Sequence, residues 1–111
     1  MADLEKYRDY IEEIISYRAK HQYVNSSLQK KPVFDRTHDR YLLMVNGFEG
    51  TKRYNYAVID VEIINGKIWI HYDGTEEGVA TYLLEKGVPK EDIVLAFYSP
   101  EKRKFTEFSV A

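Results

Sequence analysis

Apolar residues near the start of the chain recur three and four positions apart. Leu4, Tyr7, Ile11, Ile14 and Ile15 share one face, and this spacing predicts an amphipathic helix over residues 3–21. Asp3 stands where an N-cap belongs, and Tyr10 and Tyr17 widen the apolar stripe. Residues 22–30 carry no period, and Asn25-Ser26-Ser27 reads as a connector. The period then shortens to two. A short strand is predicted at 33–37 and a longer one at 40–48, where Tyr41, Leu43 and Val45 alternate with Leu42 and Met44. Gly47 and Gly50 bracket a predicted loop through Arg53.

A β-hairpin follows. Residues 54–64 and 67–72 flank Asn65-Gly66, the favoured pair for a two-residue turn in which both positions need φ > 0. In an uninterrupted ladder, Ile63 faces Ile68, Val61 faces Ile70 and Ile59 faces Tyr72, all on the core side. Glu62, Trp69, Asp60 and His71 fall on the other side, with Asp60 opposite His71. A second helix is predicted over 76–86 from Val79, Ala80, Leu83 and Leu84, ended by Gly87 and Pro89. The compact apolar run 93–98 reads as a central strand, and 105–110 as a last strand. Two helices among hairpin-connected strands predict an α+β fold. The sheet is expected to be mainly antiparallel or mixed, with five to six strands, all in a single domain spanning 1–111.

Composition narrows the chemistry. The chain has 111 residues and no cysteine, so disulfides and thiolate metal sites are excluded. No apolar run approaches the ~20 residues that span a bilayer, and MADLEKYRDY is too charged for a secretory leader. A soluble, cytoplasmic protein is the expectation. The formal charge of −2 lacks the basic excess usual for a free-standing DNA binder. The local basic groups are Lys30-Lys31, Lys52-Arg53 and Lys102-Arg103-Lys104, all at expected turns or strand ends.

The stretch KIWIHYDGTEEGVA concentrates the titratable side chains. His71, Asp73, Asp60 and Glu76 suggest a metal or acid–base site on paper. However, the other histidines, His21 and His38, belong to unrelated elements, and no HExxH spacing is present. The serines lack the glycines of a nucleophile elbow, and FEGTKR has the wrong spacing for a phosphate loop. A structural account covers more of these residues: Asp73 or Thr75 caps the second helix, Glu76 and Glu77 meet the positive end of its dipole, and Gly74 and Gly78 permit a tight entry. No catalytic residue, metal or cofactor is implied.

The same stretch resembles one family. NGKIWIHYDGTEEGVA, then LLEKGVPKEDIVLAFYSPEKRKFTEFSVA, together with LEKYRDYIEEII and FDRTHDRYLLMVNGFEGTKR, is similar to the XisI-like proteins, the fdxN element excision controlling factors. Phe48 stands where that family often has Trp, and His71 where Gln is expected. The resemblance implies a mostly cyanobacterial protein linked to excision of a DNA element by a site-specific recombinase. It implies a controlling role beside an XisH-like partner, with no assigned catalytic residues.

Two modes of action follow. In the first, a non-catalytic accessory protein binds the XisH-like partner through an aromatic patch of Tyr54, Tyr56, Trp69 and His71, unless the first helix covers that face. The same face or an open strand edge would also serve a homo-oligomer. In the second, Lys52, Arg53, Lys102, Arg103 and Lys104 contact DNA phosphates.

Overall fold

Asp3 opens the first helix as expected. Its carboxylate accepts from the Lys6 N–H at 3.2 Å, and α1 runs Leu4–Lys20. The computed structural model describes residues 3–111; Met1 and Ala2, part of the expected domain span, lie outside the described residues. Tyr7, Ile11, Ile14 and Ile15 are buried on one face of α1. On its wet side a single arginine, Arg36, bonds Glu5 (3.0 Å), Asp9 (2.8 Å) and Glu12 (2.7 Å), tying the helix to the turn after the first strand.

Five strands form one sheet in sequence order: β1 (Gln29–Asp35), β2 (Arg40–Glu49), β3 (Lys52–Ile64), β4 (Lys67–Asp73) and β5 (Ile93–Leu95). All neighbours are antiparallel except β4 and β5, which are parallel. Helices α2 (Val79–Glu85) and α3 (Pro100–Arg103) complete the α+β fold. Tyr41, Leu43, Ile59, Val61, Ile63, Ile68, Ile70 and Ile93 of the sheet join the buried residues of α1 and α2 in one core, so both helices cover the same face.

The Asn65-Gly66 turn forms with φ of 50° and 78°, and the ladder from Ile64–Lys67 to Val61–Ile70 keeps the expected register. Beyond it the register slips. Asp60 pairs with Tyr72 and Ile59 with Asp73, so His71 is the extra residue of a β-bulge. The expected Asp60–His71 and Ile59–Tyr72 pairs are therefore absent, and Tyr72 is half exposed, not core. A second bulge lies alongside in β3. Leu43 pairs with Ile59 and Met44 with Ala57, leaving Val58 extra. The Val58 carbonyl accepts from the Gly74 N–H at 2.8 Å, which joins the two bulges.

Other expectations shift for local reasons. β1 starts at Gln29 and ends at Asp35, not 33–37. It is an exposed edge strand, so it shows no apolar alternation. The predicted loop from Gly47 to Arg53 is a tight turn at Gly50-Thr51, and β2 and β3 are long. α2 starts at Val79, after Gly78 at φ 84°, so Glu76 and Glu77 lie in the preceding turn. The run 93–98 gives only a three-residue edge strand, because only Ile68–Ile70 of β4 pair with it. Residues 105–110 form no strand; Ser109 alone bridges Val94, and 100–103 is helical.

Each outer edge is met at one position by another segment. At β1 the Gln22 side chain accepts from the Lys30 N–H (3.0 Å) and donates to the Lys30 carbonyl (3.2 Å). Two residues on, Pro32 has no N–H to offer. At β5 the Ser109 N–H donates to the Ile93 carbonyl at 2.9 Å.

Candidate interaction surfaces

The two bulges redistribute the side chains that the sequence grouped together. Directly paired residues share a face. Val45 pairs with Tyr56 and Gly47 with Tyr54, so both tyrosines lie on the helix-covered face of the sheet, beyond the main core. Trp69 pairs with Glu62 and lies on the back face. The expected patch of Tyr54, Tyr56, Trp69 and His71 is thus split between two faces. The extra residue Val58 is the cause: without it the even-numbered residues of β3 would all face back.

The titratable group is split the same way. Asp60, Glu62 and His71 remain on the back face, where Arg40 joins them. Arg40 holds Asp60 with two bonds of 2.7 and 2.9 Å, and His71 Nε2 lies 2.8 Å from Glu62 Oε1. The result is a polar ladder across β2, β3 and β4. Asp73, carried past the His71 bulge, turns to the core face. There one carboxylate oxygen accepts from the Thr75 N–H (2.9 Å) and hydroxyl (2.6 Å), and the other from the Val79 N–H at 2.6 Å. Asp73 thereby supplies the cap that Gly78 lacks. Glu77 pairs with Arg18 at 3.2 Å. Among the described residues no group of three or more His, Cys, Asp or Glu is placed to hold a metal ion.

The back face is only partly covered. α1 lies on the other side and does not cover Trp69. Trp69 instead carries the Arg103 guanidinium 5.3 Å from its ring. Arg103 also donates to the carbonyls of Tyr98 (3.0 Å), Ala96 (3.3 Å) and Val110 (3.2 Å), so it pins the C-terminal stretch over β4. Lys67 adds a bond to Ser109 at 2.9 Å. Towards β1, Leu42 and Met44 are partly exposed and Val33 is 47% exposed on the same face.

The basic candidates do not form one surface. Lys52 and Arg53 begin β3 at the tip of the β2–β3 hairpin. Arg103 sits over Trp69, whose partner Glu62 lies ten residues further along β3, a separation of about 30 Å at ~3.3 Å per residue. Arg103 is bound to protein carbonyls, and Lys104 lies 3.7 Å from Glu101. Lys52 stands over the Tyr54 ring at 4.9 Å, Arg53 over Phe48 at 5.2 Å and Lys102 over Tyr98 at 4.7 Å.

Sequence reasoning passed over Asp39. It sits at φ 52° in the turn before β2, where Arg8 grips it through bonds of 2.7 and 3.1 Å and the buried Tyr41 hydroxyl donates to it at 2.9 Å. Hydrogen bonding to Arg8 holds its carboxyl below the usual range, against a smaller opposing effect of burial. Arg-Thr-His-Asp at the end of a strand is the available signal, since aspartate tolerates the left-handed conformation.

No helix among the described residues is long and apolar enough to cross a membrane. The search of curated proteins returns no match. Two solved structures are similar across nearly the whole chain. The crystal structure of fdxN element excision controlling factor XisI from Anabaena variabilis is 36% identical, with a TM-score of 0.86, covering 97% of this chain and 98% of that one. A XisI-like protein from the same organism is 31% identical, with a TM-score of 0.91, covering 98% of this chain and 100% of that one. The family model described as XisI protein matches residues 1–110, and the chain therefore belongs to the XisI family.

Proposed function

We propose that this chain is a non-catalytic accessory factor in the control of DNA-element excision, acting by binding another protein, with an XisH-like protein as its partner. The controlling role is drawn from the Anabaena variabilis protein named as an excision controlling factor, which aligns with nearly all of this chain. The partner is the one the family resemblance implies. A cytoplasmic location goes with this reading.

The observation that carries the binding mode is one-sided covering of the sheet. α1 and α2 take one face; on the other, Val33, Leu42 and Met44 form an apolar strip beside the Arg40–Asp60–Glu62–His71 ladder. An apolar centre with a charged margin is the usual anatomy of a protein interface. The carboxylates point away from catalysis, because Asp60, Glu62 and Asp73 are each already engaged by Arg40, His71 or backbone N–H groups.

Co-expression with an XisH-like protein, followed by size exclusion, tests this. The intact chain is expected to co-elute with the partner, and Met44→Lys to lose at least about tenfold in affinity, the scale of an interface hot spot. A folded intact chain that elutes alone would overturn the reading. Trp69→Ala is a poorer probe, because it also removes the platform under Arg103.

A further inference from the structure

We propose that the far end of the β2–β3 hairpin binds a single nucleic-acid strand, with bases stacking on Tyr54, Tyr56 and Tyr23 and phosphates meeting Lys52 and Lys30. These residues lie on the face opposite the strip assigned to the protein partner, so the inference goes beyond that reading.

Register brings them together. Lys30, Val45 and Tyr56 form one row across β1, β2 and β3, and Tyr54 follows two residues on, opposite Gly47, over which the Ser27 carbonyl and Leu28 close. The Tyr54 and Tyr56 rings are 6.5 Å apart and inclined at 70°. Lys52 stands 4.9 Å from the Tyr54 ring and Lys30 4.5 Å from the Tyr23 ring. Tyr56 is 41% exposed and Tyr23 38%. Aromatic faces alternating with cations are what a flexible strand needs, because every base has a π-face and every linkage a charge. Rings steeply inclined to one another suit bases splayed apart, which a duplex does not present.

The charge is local and of the right sign. Residues 22–34 contain Lys30 and Lys31 and no carboxylate; residues 43–57 contain Lys52 and Arg53 against Glu49 alone. Glu49 is itself engaged by the Ser26 hydroxyl. In a chain of net charge −2, the hairpin tip is basic, while Tyr23 and Lys30 also border Glu76 and Glu77, the latter paired with Arg18. Burial, and then the neighbouring Arg18, lower the pKa of the Lys30 ammonium, which donates to the His21 carbonyl at 2.7 Å. On the reverse side of the same tip, Arg53 over Phe48 repeats the pairing.

Fluorescence anisotropy with labelled oligothymidylate and oligouridylate at low salt tests the site. The intact protein is expected to bind. The log–log salt slope should be near −1.4, or about −0.7 for each of two phosphates. Tyr54→Ala and Tyr56→Ala should weaken binding about 5- to 150-fold each, while Tyr54→Phe stays within about twofold, because stacking needs the ring and not the hydroxyl. Lys52→Ala should flatten the slope by about 0.7. Tighter binding of one oligonucleotide identifies DNA or RNA as the source. No anisotropy change with folded protein overturns the proposal. Unaltered binding by Tyr54→Ala with full competition from heparin also does so, since it shows generic polyanion attraction. Capture of polyglutamate with the same tyrosine dependence would assign the site to an acidic protein segment instead. Tyr54→Ala should leave co-elution with the XisH-like protein intact, and Met44→Lys should leave oligonucleotide binding intact, so either reading can fail alone.

Discussion

The two halves of the β2–β3 ribbon are built from the same kind of strand and stabilised differently. In the half next to Asn65-Gly66, Ile59, Val61 and Ile63 are buried under α1 and α2. In the half beyond Val58, Val45 is the one wholly buried side chain of residues 44–57, and it lies outside the main core. Its row neighbours are Lys30 and Tyr56, whose stem and ring cover apolar surface while their polar ends stay wet. The difference teaches that a bulge can divide one ribbon into a load of apolar burial and a display of aromatic and cationic side chains. The long axis of 47 Å fits a hairpin that outreaches its helix: thirteen residues of β3 extend about 43 Å, seventeen of α1 about 25 Å.

The largest test of this division is Ile59→Ala. It should cost about 2–5 kcal/mol in a urea titration, since it empties a site in a closely packed core. Next comes Asp39→Ala, expected to cost about 1–3 kcal/mol because it leaves the buried Tyr41 hydroxyl without its acceptor and Arg8 with Glu5 alone. Asp39 has a lowered pKa when folded. Its contribution should therefore be complete above about pH 4 and fade as pH falls through the lower folded value, and the pH dependence of stability should flatten in the variant. The smallest effect is expected of Tyr54→Ala, within about 0.5 kcal/mol by the same titration. A loss there rivalling that of Ile59→Ala would erase the distinction between the halves.

What the sequence revealed follows from how local each signal is. α1 and the Asn65-Gly66 hairpin were legible, because a three-four period and a turn pair are carried by neighbouring residues. The bulges at Val58 and His71 were not, because two residues oppose one only when strands are counted against each other. Missing them put Tyr54, Tyr56 and Trp69 on one face and Asp60 opposite His71. The run 93–98 has strand composition throughout, yet its length as a strand is set by the partner, β4. Residues 105–110 look equally strand-like, but only Ser109 pairs, with Val94, while Arg103 holds the Val110 carbonyl and stacks over Trp69. Asp73 was legible as a cap, though the N–H it satisfies belongs to Val79, six residues away.

One side-chain amide settles how this molecule behaves in company. Gln22 holds both backbone groups of Lys30, Pro32 withholds the next donor, and Ser109 takes up the opposite rim. A strand that added at either rim would first have to displace Gln22 from Lys30 or Ser109 from Ile93.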